Sequence, residues 1–109
     1  MNERELALAV EFMCHLYYAD KPELILNHRN RKIVEEFAND THGTSGIRKT
    51  KYNTYQYRLR GEPLLSLLER IQPYIRYNAL TTINDLIFKL KAMYREPHAT
   101  IVSKRRVII

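Results

Sequence analysis

Gly43-Thr-Ser-Gly-Ile-Arg48-Lys-Thr-Lys-Tyr-Asn-Thr54-Tyr-Gln-Tyr-Arg-Leu-Arg60-Gly61 is the stretch on which the reading of this chain turns. Its second half alternates with period two. Tyr55, Tyr57 and Leu59 fall on one side and Thr54, Gln56, Arg58 and Arg60 on the other, as in a strand with one buried face. Residues 46–52 are long enough for a partner strand, and Tyr52-Asn53-Thr54 supplies a turn between the two. No acidic residue lies between Asp40 and Glu62, whereas Arg48, Lys49, Lys51, Arg58 and Arg60 do. A two-stranded ribbon with that outer face fits a major groove and presents Gln and Arg to base edges. A solvated basic hairpin is written in the same way, so the stretch alone leaves both readings open.

With 109 residues, 45% of them hydrophobic and only three Gly, the chain is expected to form one folded domain with a real core. Cys14 is the only cysteine, which excludes an intramolecular disulfide framework and points to a reducing setting. The start, Asn2-Glu-Arg-Glu5, is not the basic start of a signal peptide, and no apolar run reaches spanning length. A soluble cytoplasmic or intracellular protein with no membrane partner is expected. The net charge of +6 is unevenly spread: residues 1–47 carry five basic and eight acidic side chains, whereas residues 48–61 carry five basic and no acidic ones. Residues 97–109 add three more cations, Lys104, Arg105 and Arg106. Charge gathered into a patch suits a polyanion, nucleic acid first, with an acidic protein or an anionic surface as less specific alternatives.

Toward the N-terminus, residues 3–19 read as a helix that is apolar nearly all round, with Leu6, Val10, Met13 and Tyr17 as one stripe. Such a helix has to be covered on more than one side, by the core alone or by a second subunit as well. Lys21-Pro22 ends it, and Glu23–Asn27 is a short strand. Asn30 is placed to cap a helix over 31–39 that buries Ile33, Val34 and Phe37. After the hairpin, Gly61-Glu-Pro63 opens a helix with Leu64, Leu67, Leu68 and Ile71 on one face, which Pro73 should stop or kink. A last helix is expected from about Ala79 to Arg95. The tail from Thr100 to Ile109 mixes apolar and basic residues, as an edge strand or a basic arm would.

Catalytic motifs are scarce. His15, His28, His42 and His98 are scattered and lack cysteine companions at zinc-ligand spacing. Cys14 and His15 are adjacent, which on a helix points them about 100° apart. The three glycines make no phosphate-binding loop. Asp20, at the end of the predicted first helix, is the one acid to consider for a metal, and an ordinary solvated helix-end carboxylate is the other reading of it.

The ordered set of a short strand, a helix containing Ile33-Val-Glu-Glu-Phe37, a Gly-rich turn, a basic hairpin ending Tyr57-Arg-Leu-Arg60, a Leu-rich helix and Leu68-Glu-Arg-Ile-Gln-Pro-Tyr-Ile75 resembles the LAGLIDADG homing endonucleases, over roughly residues 23–94. The nearest approach to the motif that names the family is Met13-Cys-His-Leu-Tyr-Tyr-Ala-Asp20, with His15 where the family has a small packing residue and Lys21 at its final glycine. The resemblance implies a saddle-shaped antiparallel sheet lying over DNA, with the named helix paired to its twin at a two-fold axis. Arg48, Thr50, Gln56 and Arg58 would then face DNA. Residues 6–20 would form the dimer interface, and Asp20 would be the acid that holds catalytic magnesium. On this reading the family's first hairpin strand has no counterpart between Asp20 and Leu24, and the tail is the candidate to replace it.

The expected protein is therefore an α+β, LAGLIDADG-like half-domain, an antiparallel sheet with helices packed on one face. A single domain would span residues 1–98, with a basic strand or arm over 99–109. The leading function is that of a homodimeric regulator binding double-stranded DNA, with cleavage lost and no cofactor. Its binding set is Arg48, Lys49, Thr50, Lys51, Gln56, Arg58, Arg60, Lys104, Arg105 and Arg106. The alternatives are a magnesium-dependent site-specific endonuclease using Asp20, an RNA-binding maturase-like splicing factor, and a module that docks its basic face on an acidic protein.

Overall fold

The computed structural model describes residues 1–17, 21–42 and 46–95, apart from the side chains of residues 77 and 78. In chain order the elements are α1 (Glu3–Met13), β1 (Cys14–Tyr17), β2 (Glu23–His28), α2 (Arg31–Thr41), β3 (Arg48–Lys49), β4 (Tyr55–Arg60), α3 (Gly61–Ile71) and α4 (Tyr77–Tyr94). A 3-10 turn at Gln72–Tyr74 links α3 to α4. The strands form one antiparallel sheet in the order β1-β2-β4-β3. The fold class is α+β, with the helices on one side of the sheet.

Alternation builds that sheet. Leu24 lies opposite Leu59 and Leu26 opposite Tyr57, and all four are buried beneath the helices. The intervening residues Glu23, Ile25 and Asn27 lie opposite Arg60, Arg58 and Gln56 on the other side. Leu6, Ala7, Ala9 and Val10 of α1, Val34 and Phe37 of α2, and Leu64, Leu65, Leu67, Leu68 and Ile71 of α3 close the core. Ile83, Leu86, Ile87 and Leu90 of α4 join it.

Local chemistry sets the helix ends. Asn2 and Glu5 form a reciprocal capping box at the start of α1. The Asn30 side chain accepts from Lys32 N at 3.0 Å, the expected cap of α2. β4 runs into α3 without a loop. Gly61 makes that bend at φ +67, a left-handed conformation that glycine adopts without a steric penalty. Pro73 falls in the 3-10 turn, and α3 stops before it as expected.

The first helix is shorter than its apolar run suggests. It ends at Met13, and Cys14–Tyr17 leaves it in extended conformation to pair with β2, Cys14 opposite Leu26 and Tyr17 opposite Glu23. Pairing is the physical reason. Without β1, the backbone groups along the outer edge of β2 would be left unbonded. The hairpin strand expected to have no counterpart is thus present, and it is β1. Residues 18–20 and 96–109, with Asp20, Lys104, Arg105 and Arg106, lie outside the described residues.

Buried polar chemistry ties α2 to the sheet. Thr41 Oγ1 donates to Phe37 O at 2.9 Å, so the Tyr57 hydroxyl, 3.0 Å from the same oxygen, is the donor in that second bond. The Tyr57 ring also meets Phe37 edge-on at 6.0 Å. Thr41→Val removes the acceptor and strands a buried hydroxyl, whereas Tyr57→Phe leaves Thr41 its bond to Phe37 O. We expect Thr41→Val to cost about 1–3 kcal/mol and Tyr57→Phe only about 0.5–1.5 kcal/mol. Urea unfolding of both variants checks the order; equal costs would mean the hydroxyl pair is not buried as described.

Candidate nucleic-acid interface

The face of the sheet turned away from the helices is mostly polar, because the alternate residues of its strands are, Ile25 excepted. In register it carries His15 and Tyr17 of β1, Glu23, Ile25 and Asn27 of β2, Gln56, Arg58 and Arg60 of β4, and Arg48 of β3. A shallow hollow on this side is lined by Asn27, Arg48, Lys49, Thr50, Lys51, Tyr52, Thr54, Gln56 and Arg58. Arg48, Gln56, Arg58 and Arg60 therefore share one face. Lys49 lies opposite Tyr55, out of step with Arg48, yet it still borders the hollow from the edge strand.

The hairpin tip is built by threonines. Thr50 N donates to Thr54 O at 2.8 Å, the two hydroxyls lie 2.6 Å apart, and Asn53 takes a left-handed φ of 65. This turn projects Lys51 and Tyr52, with the Lys51 ammonium 5.1 Å from the Tyr52 ring centre. It begins two residues earlier than the Tyr52-Asn53-Thr54 expectation and shortens β3 to two residues.

Positive charge on the face is graded. Glu23 Oε1 lies 3.2 Å from Arg58 Nη1 and Oε2 lies 3.2 Å from Arg60 Nε, so one carboxylate serves two arginines. Arg58 Nε also donates to Gln56 Oε1 at 3.3 Å. Around the hairpin, Arg48, Lys49 and Lys51 make no ion pair with any described residue. Glu23 and Asn27 belong to this face although residue patterns near the hairpin do not single them out. The available signal is the alternation of Glu23, Ile25 and Asn27 against Leu24 and Leu26.

The expected dimer stripe is divided by the shorter helix. Leu6 and Val10 are buried in the protomer's own core, Met13 is half-buried, and Tyr17 belongs to β1. Exposed apolar surface on α1 consists instead of Leu8 (47%) and Phe12 (64%), one helical turn apart, with Tyr74 (45%) near Leu8 across a shallow groove. Cys14 packs against the core while His15 lies on the open face, so strand geometry rather than helix geometry separates them. Burial pushes the Cys14 thiol pKa up, which makes it a poor nucleophile.

No family model matches the sequence, and no curated protein does. Among solved structures, the homing endonuclease I-CvuI in complex with the I-CreI target superposes with a TM-score of 0.68 at 13% identity, over 94% of this chain and 73% of that one. The LAGLIDADG meganuclease I-AabMI bound to uncleaved DNA gives 0.58 at 17% identity, over 94% of this chain and 43% of that one. The fold is that of the LAGLIDADG homing endonucleases. At these identities the likeness is one of fold, and the chain spans less than half the length of I-AabMI.

The sequence resemblance implies a metal-binding acid at the end of the first helix. With α1 ending at Met13, the last acid on that helix is Glu11, not Asp20. Its side chain is only 9% exposed, accepts the Arg76 N–H at 2.8 Å and faces Arg76 Nε at 3.9 Å. The Arg76 guanidinium in turn lies 5.1 Å over the Phe12 ring. A carboxylate engaged in this way braces α1 against the start of α4. Among the described residues no three of His, Cys, Asp and Glu are grouped to hold an ion, and Asp20 lies outside those residues. No helix among the described residues is long and apolar enough to cross a membrane.

The left-handed residue at the hairpin tip gives a direct check of this geometry. Asn53→Gly should be neutral or slightly stabilising, whereas Asn53→Val should destabilise the turn by about 1–2 kcal/mol. Amide exchange at Thr50 and Thr54 reports it: faster exchange in the Val variant alone is expected, and equal exchange in both would contradict the turn.

Proposed function

We propose that this chain binds double-stranded DNA through the open face of its sheet, as a homodimer joined through α1, and acts as a regulator that does not cut. The observation that carries the reading is the face itself. Arg48, Gln56, Arg58 and Arg60 lie together on one side of a sheet whose fold is shared with two DNA-bound structures. Cations at the hairpin tip meet phosphates, which position the protein without reading sequence. Gln56, Arg58 and Asn27 face base edges, which discriminate. The basic tail residues Lys104, Arg105 and Arg106 join the phosphate contacts.

Pairing of two copies has its own support. Leu8 and Phe12 are large apolar side chains exposed on one helix face, and a single chain spans 43% of I-AabMI, about the share that one of two copies would take. Loss of cleavage is supported by the donor set, since the acid nearest the end of α1 is occupied by Arg76.

Duplex binding across a salt series tests the interface. Neutralising Lys104, Arg105 and Arg106 should weaken binding to all duplexes alike and flatten the dependence on salt, by about 0.9 in the log–log slope for each phosphate left without its cation. Gln56→Ala should instead narrow the gap between preferred and random duplex, by about 1–3 kcal/mol per reading contact. With magnesium or manganese added, no double-strand cut is expected. Specific cuts that disappear in Asp20→Asn would establish the endonuclease reading in place of the regulator. Preferential binding to single-stranded or structured RNA would favour the splicing reading.

Light scattering tests the dimer. The unmodified chain should run as a pair of 13.0 kDa protomers at micromolar concentration, and Leu8→Glu with Phe12→Glu as a folded monomer. A monomer from the unmodified chain would remove the two-fold arrangement.

A further inference from the structure

Glu23 is the only acid that the register places on the open face among the described residues, and a carboxylate facing a polyanion needs a reason to be there. Its side chain is 13% exposed. It belongs to the polar side of β2, so it adds nothing to the apolar core beneath the sheet. Through Arg58 it reaches the centre of the face. The guanidinium spans from Glu23 Oε1, 3.2 Å from Nη1, to Gln56 Oε1, 3.3 Å from Nε. Arg58 lies opposite the nearly buried Ile25, and Gln56 lies opposite Asn27.

That chain of contacts fixes the chemistry of Gln56. A guanidinium N–H only donates, so the Gln56 amide has to turn its oxygen to Arg58. Arg58 takes one of the oxygen's two lone pairs and fixes the direction of the amide, which leaves the Nε2 donor as the group better placed for a partner. An unconstrained Gln pairs bidentately with adenine, giving a hydrogen bond to N7 and taking one from the N6 amino group. A Gln whose oxygen is held by Arg58 pairs less well with the adenine N6 donor and favours an edge of acceptors. In the major groove guanine presents two, N7 and O6, while cytosine presents a donor.

Resting on the DNA-binding reading, we infer that Glu23 is a specificity-determining positioning residue: acting through Arg58, it holds Gln56 as a donor and so selects guanine over adenine at the base pair beneath it. Glu23 itself does not touch the base. Its carboxylate sets the direction of the guanidinium, and the guanidinium sets the amide. Lysine at position 58 would keep the charge, but a single ammonium lacks the planar fork that bridges both partners.

Selection from a randomised duplex library, followed by sequencing, reads the proposal directly. Gln56→Ala identifies the position that Gln56 contacts, because preference there relaxes. At that position the unmodified protein should favour guanine over adenine by about tenfold. Glu23→Gln should lower that ratio to near one, with adenine gaining, while binding to random duplex strengthens from the loss of a negative charge. Arg58→Lys should give the same loss of guanine preference with the net charge unchanged, and it carries the test if Glu23→Gln does not give a cooperative thermal melt. Uniformly tighter binding by Glu23→Gln with the guanine preference intact would overturn the proposal and leave Glu23 as a simple neutraliser. An unmodified protein that prefers adenine there would overturn it too. Absence of any duplex binding by the unmodified protein would instead refute the DNA reading, and this inference with it.

Discussion

Pairing between β2 and β4 is the constraint from which the rest of the molecule follows. With Leu24 opposite Leu59 and Leu26 opposite Tyr57, four buried side chains face the helices. The same register sets Glu23 against Arg60 and Asn27 against Gln56 on the open side. A slip of one residue would turn the leucines to solvent and the arginines to the core, so the burial of one face enforces the composition of the other. The helices hang on this pair. α3 continues directly from β4 through Gly61, and α2 is tied to β4 by the Thr41–Tyr57 hydroxyl pair. The polar face is the necessary reverse of the hydrophobic core.

Features set by near neighbours are readable from residues alone. The β4 alternation, the Asn30 cap, the leucine stripe of α3 and the stop before Pro73 each involve residues a few positions apart. β1 is not readable in the same way. Val10, Met13 and Tyr17 continue at helical spacing, and periodicity alone carries the helix through them. What ends it at Met13 is the edge of β2, about ten residues farther along, and that edge outweighs local propensity. Two differences share this cause: a single helical stripe through Leu6, Val10, Met13 and Tyr17, which the start of β1 divides, and a strand thought to be absent. The alternation that signals β1 is there to find, with Cys14 and Leu16 packed against the core and His15 and Tyr17 exposed.

Charge counts along the chain gather cations at the hairpin but misjudge their gradient. Arg58 and Arg60 look like two open cations in sequence, yet each shares Glu23, which sits 35 and 37 positions away. Register, not local composition, brings the acid to them. The outcome separates two roles on one surface. In the proposed interface, cations concentrated at the hairpin tip would supply attraction that salt screens, whereas the hydrogen-bonded set of Glu23, Arg58 and Gln56 would supply direction. Rigid polar side chains on a sheet are better placed to read a fixed edge than the same groups on a loop.

The open face of the sheet is the surface proposed to meet DNA. Amide chemical-shift mapping during titration with a short duplex tests that most directly, because it reports every backbone position at once. Shifts concentrated at Arg48, Thr50, Asn27, Gln56 and Arg58, with the outer surfaces of α2 and α4 unchanged, are the predicted result. Shifts centred on the exposed Phe88 side of α4, or none on β2 and β4 at saturating duplex, would contradict it.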